Sequence, residues 1–113
     1  MNIEGEAVLL RIFIGEEDRI DGKLLYKKIV EVLRENDIAG ATVLRGIMGY
    51  GASSRIHEAS ILSLSSDLPI VIESVDRADK INKVLPIIES MLKSGLITLE
   101  KVNVIKYKYE KGK

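Results

Sequence analysis

The segment from Glu6 to Ile14, "EAVLLRIFI", is apolar at both parities. Its branched and aromatic residues favour a strand. Val8, Leu10, Ile12 and Ile14 then form one face, and Ala7, Leu9, Arg11 and Phe13 form the other, because successive side chains of a strand point to opposite sides. Both faces are mostly apolar and both require cover.

Cover for the first face follows along the chain. "GEEDRIDG" reads as a loop, its acidic run Glu16, Glu17 and Asp18 as a solvated turn, and Asp21 as a helix N-cap. Lys23 to Asn36 then reads as a helix, with Leu25, Ile29, Val32 and Leu33 at three- and four-residue spacing. Gly40 ends the turn and Ala41 to Met48 is expected as a second strand. "PIVIESVD", Pro69 to Asp76, is a third, with Asp76 placed to cap a second helix over Arg77 to Ser94. That helix lines up Ile81, Val84, Leu85, Ile88, Met91 and Leu92, contains Pro86 as a kink or restart point, and is stopped by Gly95. Ile97 to Tyr107 is the last strand and residues 108–113 a frayed polar tail.

The order β-α-β-β-α-β is the ferredoxin-like, split βαβ arrangement of the α+β class. Two helices cover only one face of its four-stranded antiparallel sheet. The second apolar face of the first strand is therefore expected to be covered by self-association.

A chain of 113 residues is one domain by length. Its 46% hydrophobic and 30% charged residues exclude a disordered chain. Seventeen basic and seventeen acidic residues cancel, whereas nucleic-acid binders usually carry a basic excess to neutralise phosphates. The absence of cysteine excludes disulfides and thiolate metal sites. No apolar stretch is long enough to span a bilayer, and no basic-then-apolar leader pattern opens the chain. Cytoplasmic residence is the expectation.

Chemistry concentrates in "LRGIMGYGASSRIHEAS", Leu44 to Ser60. Gly46, Gly49 and Gly51 suit either a bent strand end or an anion cradle of backbone N–H groups. Their spacing matches neither the dinucleotide fingerprint nor a P-loop. Arg45 and Arg55 bracket the glycines and are candidate phosphate contacts. His57 is the sole histidine, so a zinc site is not expected. Ser53, Ser54, His57 and Glu58 hold the letters of a hydrolytic triad but lie too close together on a loop. Lys106 and Lys108 alternate with Tyr107 and Tyr109, a stacking-plus-charge pattern that a lysine-protected edge would also show. The interval from Gly49 to Pro69 is long for a compact domain, which marks it as functional.

The same element order, "IAGATVLRGIMGYG" running into the long loop and "LPIVIESVDRAD" returning from it, resembles the PII signalling proteins. In those, Gly-aromatic-Gly closes strand two, and Leu-Pro with an apolar strand follows the T-loop. "RGIMGYG", the loop histidine, "LSSDLPIVIE" and "VD" are closer still to the PII-like family of uncharacterised small proteins. The resemblance extends from about Leu9 to Ile105.

It implies a homotrimer, adenine-nucleotide binding in clefts between subunits, and a T-loop over about residues 51–68 that senses ligand and docks a protein target such as a membrane transporter. Gly49, Tyr50 and Gly51 match the base of that loop, where backbone groups approach the nucleotide. Thr42 and Val43 match the strand that walls the adenine. Lys106 and Lys108 fall where PII proteins supply basic phosphate ligands. The Gly-rich B-loop after helix two is missing, since "SGLITLEKV" turns directly into strand four. No tyrosine stands between Gly51 and Pro69. The shorter site suits AMP or ADP better than ATP.

The expected function is a regulatory binding module, not an enzyme, with an adenine nucleotide as candidate ligand and no obligatory cofactor. Its strongest rival is a structural trimer without ligand. An RNA-binding domain shares the element order but needs aromatic residues on central strands; strand one offers Phe13 and strand three none. An acylphosphatase-like hydrolase would recruit Arg11 or Arg45.

Overall fold

In the computed structural model the described residues are 3–51, 56–58 and 67–110. The chain runs through β1 (Gly5–Gly15), β2 (Arg19–Ile20), β3 (Lys23–Leu24), α1 (Leu25–Glu35), β4 (Thr42–Arg45), β5 (Met48–Gly49), β6 (His57–Glu58), β7 (Pro69–Asp76), α2 (Ala78–Met91) and β8 (Leu96–Val104). The principal sheet has the order β4-β7-β1-β8, and all of its pairings are antiparallel. This is the expected α+β, ferredoxin-like fold.

The two-sided strand takes the most protected place. β1 is paired with β7 from Val8 to Gly15 and with β8 from Gly5 to Phe13. Its first face carries Leu10, Ile12 and Ile14, which meet Ile70 and Ile72 of β7. Over them lie Leu25, Ile29 and Leu33 of α1 and Ile81, Val84 and Ile88 of α2, all buried. Burial of each such side chain contributes about 1.5–3 kcal/mol.

The second face is only partly buried within one chain. Leu9, Phe13, Val71, Val75 and Val102 remain half-buried there, and Leu44 and Leu96 are exposed. Its centre is polar: the Arg11 guanidinium donates from Nε to Glu73 Oε2 at 2.8 Å and from Nη1 to Glu100 Oε1 at 3.3 Å. The Glu73 hydrogen bond raises the Arg11 pKa, with the Glu100 charge adding to it.

Several boundaries differ from expectation for local reasons. Asp21 caps no helix. With Gly22 it forms the turn between β2 and β3, both residues left-handed at φ 49° and 79°, and an Asp-Gly pair with positive φ matches the twist of a tight hairpin. This hairpin takes Lys23 and Leu24, so α1 starts at Leu25 and has no side-chain cap. The helix ends through left-handed Asp37, whose N–H donates to Arg34 O, while the N–H of buried Ile38 reaches Leu33 O, a Schellman closure.

Asp76 lies one residue outside α2, whose cap position is Arg77. Its buried carboxylate instead accepts from the Arg77 N–H at 2.7 Å and the Ala39 N–H at 2.9 Å. It thereby joins the α1–β4 connection to the end of β7. α2 continues through exposed Pro86 and stops at Met91 rather than Ser94. Gly95 opens the way into β8, where its φ of 137° and a Cβ position only 2.8 Å from Phe13 O exclude a side chain.

β8 ends at Val104, so Lys106, Tyr107 and Lys108 lie beyond the last strand. The segment is nevertheless held: Tyr107 O accepts from the Ile3 N–H at 3.4 Å, and its hydroxyl donates to Ala39 O at 2.9 Å. The expected second strand, Ala41 to Met48, is divided. β4 stops at Arg45, and Met48 and Gly49 pair with His57 and Glu58 in a separate ladder.

Asp76→Ala leaves two backbone donors unpaired and is expected to destabilise the fold by about 2–4 kcal/mol. Asp76→Asn, which keeps one acceptor, should cost about half as much. Urea unfolding midpoints measured on the three proteins check both values.

Candidate functional site

The long excursion leaves the sheet after β4 and returns at β7, and a narrow neck is built where its limbs meet. The Gly46 N–H donates to Pro69 O at 2.7 Å. The Pro69 ring packs against both neighbouring glycines. A Cβ on Gly46 would stand 3.4 Å from Pro69 Cβ, and one on Gly49 would stand 2.8 Å from Pro69 Cγ. Gly46, Gly49 and Gly51 are absent from the positive-φ residues. The proline ring thus leaves no room for a side chain at Gly49, whereas at Gly46 it stands at ordinary contact distance. Of the two readings left open by spacing, the bent strand end accounts for Gly49.

Beyond the neck the chain doubles back. Gly49 opposes His57 and Met48 opposes Glu58. The stretch around the glycines is therefore a small hairpin whose register places the backbone of the sole histidine beside Gly49. Gly51 has open space around its Cβ position among the described residues. Tyr50 is exposed, as are Ile47, Met48 and Ile56 nearby. Arg55, Ser53 and Ser54 lie outside the described residues.

Arg45 occupies the departing limb, and its Nη1 donates to Glu16 Oε2 at 2.9 Å. This hydrogen bond is the main reason its pKa is raised. The acidic run expected as a solvated turn is therefore structural. The Glu16 N–H donates to Leu68 O and the Glu17 N–H to Asp67 Oδ1, both at 2.8 Å. Asp18 Oδ2 accepts from the Gly15 N–H at 2.9 Å. Glu16, Asp67 and Pro69 are site residues that residue type and spacing did not reveal. The only signal for them was the Gly15 that precedes the acidic run and the Leu-Pro that ends the loop.

Thr42 and Val43 lie exposed on the edge strand β4, opposite Glu73 and Ile72 of β7. Lys106 and Lys108 stand elsewhere. Gly5 of β1 pairs with Val104, whereas Gly15 pairs with Pro69. At about 3.3 Å per residue the intervening strand is about 30 Å long. The lysines and the neck thus occupy opposite ends of the sheet. At the lysine end a cleft of about 340 Å³ is lined by Ile3, Val75, Val104, Ile105, Lys106 and Tyr107. Among the described residues no group of three His, Asp or Glu side chains is placed to hold a metal ion.

Against known proteins, residues 7–104 match the model of the DUF190 family, described as "Uncharacterized ACR, COG1993". The chain belongs to this family. It is 41% identical over 102 residues to a UPF0166 protein of Methanocaldococcus jannaschii, covering 89% of this chain and 94% of that one. Among solved structures it is similar to CPII from Thiomonas intermedia K12, which is bound to ADP and bicarbonate; the TM-score is 0.62 at 16% identity, with 88% of each chain covered. It is also similar to CutA from Synechococcus elongatus PCC7942, with a TM-score of 0.59 at 10% identity, covering 96% of this chain and 90% of that one. The PII-like fold implied by the sequence resemblance is therefore the fold of the chain. No helix among the described residues is long and apolar enough to cross a membrane.

Gly49→Ala forces a methyl against Pro69 and is expected to destabilise the protein by about 1–3 kcal/mol. Gly51→Ala should stay within about 0.5 kcal/mol of wild type. If the proline ring is the cause, Pro69→Ala combined with Gly49→Ala should cost less than the sum of the two. A thermal-melt double-mutant cycle tests this.

Proposed function

We propose that this protein is a regulatory module that binds an adenine nucleotide in clefts between copies of itself. The long excursion relays occupancy of the cleft to a protein target. AMP or ADP is favoured over ATP, because β8 follows α2 after four residues, without the Gly-rich loop that would surround a third phosphate. We read it as a binding module rather than an enzyme.

One observation carries the reading. The neck residues Arg45, Gly46, Gly49, Tyr50 and Gly51 are separated from Lys106 and Lys108 by the length of the sheet, so one copy cannot close both groups around one ligand. Two copies arranged head to tail can. Such a contact is heterologous, and it closes into a ring when the rotation permits. The apolar second face of the sheet gives such an assembly an interior, with a homotrimer as the expected size. Thr42 and Val43 on the open edge would wall the base, and Arg55 and His57 would approach from the excursion. CPII, solved with ADP, supports the choice of ligand at the level of the shared fold.

A second reading is favoured by the glycines themselves. Pro69 accounts for Gly49 without a nucleotide, so a structural trimer would retain it equally well.

Native mass spectrometry with AMP, ADP and ATP separates the readings. A trimer retaining up to three AMP or ADP molecules is the expected result. A trimer that retains no nucleotide selects the structural reading. A monomer, or ATP held far more tightly than AMP, contradicts the proposal.

A further inference from the structure

The turn Gly15–Asp18 grips both limbs of the excursion. On the departing limb, the Glu16 carboxylate holds Arg45 through the 2.9 Å hydrogen bond. On the returning limb, the backbone N–H groups of Glu16 and Glu17 hold Leu68 O and Asp67 Oδ1. A Cβ on Gly15 would stand 2.8 Å from the Asp67 carboxylate and force it to shift. Glu16 is the residue common to both grips. In the pair it forms, the Arg45 side chain is 61% exposed and the Glu16 side chain only 24%. The carboxylate is fixed by the turn, and the guanidinium is the partner open to solvent.

We propose that Glu16 is a specificity-determining residue: it is the built-in competitor for Arg45, and its displacement by a ligand loosens the clasp on both limbs. The inference rests on the nucleotide-binding reading above. An anion arriving at the neck finds Arg45 already neutralised by a carboxylate. A simple monoanion gains nothing by the exchange. A phosphate group carries more charge and offers two oxygens to the planar fork of the guanidinium, so it displaces Glu16 where a carboxylate ligand does not. The released Glu16 no longer ties the turn to β4, and the turn's hold on Asp67 and Leu68 weakens with it. Occupancy of Arg45 is thereby converted into a change at the point where the excursion rejoins the sheet.

Calorimetry and amide hydrogen exchange on the full chain test this in wild type, Glu16→Gln and Arg45→Gln. Removing the competitor should tighten ADP binding about two- to fivefold at low salt, the range of one exposed ion pair. Arg45→Gln should weaken it. ADP should also accelerate exchange at the Glu16 and Gly46 amides of the wild type. Equal ADP affinity in wild type and Glu16→Gln overturns the competitor role. Absence of adenine-nucleotide binding in both proteins overturns the reading beneath it. The clasp stands or falls separately: exchange at Glu16 and Gly46 in ligand-free Arg45→Gln should be about two- to fivefold faster than in wild type, and unchanged rates refute it.

Discussion

The ladder on both sides of β1 is the constraint from which the rest of the molecule follows. A strand paired along nearly its whole length with β7 and β8 cannot slip by one residue without exchanging its faces. That register places Ile12 against Ile72 beneath the helices and Arg11 against Glu73 on the other side. It also fixes what stands at each end. The Gly15 end receives Pro69 and the limbs of the excursion, and the Gly5 end receives Val104 and the tail. Helices, neck and tail are positioned by one pairing pattern.

Much of this was legible in the sequence because it depends on periodicity. The apolar parity of β1, the three- and four-residue spacing in both helices and the eight-residue "PIVIESVD" each report a local period that the backbone obeys. β7 spans Pro69 to Asp76, the limits the pattern suggested. What was not legible depends on partners distant in sequence. Asp76 looks like a cap from its neighbours, yet one of its two partners is Ala39, 37 positions away. Glu16 looks like solvated charge until Arg45, 29 positions away, is placed beside it. The break of β4 at Arg45 likewise depends on Pro69, which no local window around the glycines includes.

The site itself was legible only in composition. The glycine cluster was visible at once, but its physical cause was not, because a missing side chain has the same signature whether it admits a ligand or a neighbouring ring. Geometry separates the cases. Gly49 is filled by Pro69, whereas Gly51 has nothing within 4 Å among the described residues. Of the conspicuous glycines, Gly49 is therefore the one that this chain's own described packing requires.

The clamped neck has a further consequence. Closing a loop costs entropy that grows only with the logarithm of its length, about 0.6 kcal/mol per doubling. That cost concerns the free span between fixed ends, and here Pro69, the two glycines and the turn at Gly15–Asp18 hold the ends together on their own. The two ends are therefore set independently of the number of residues between Gly51 and Asp67. A change in the length of that segment costs little closure entropy while the clamp at its ends remains. The neck thus closes the fold without reference to the length of chain it spans.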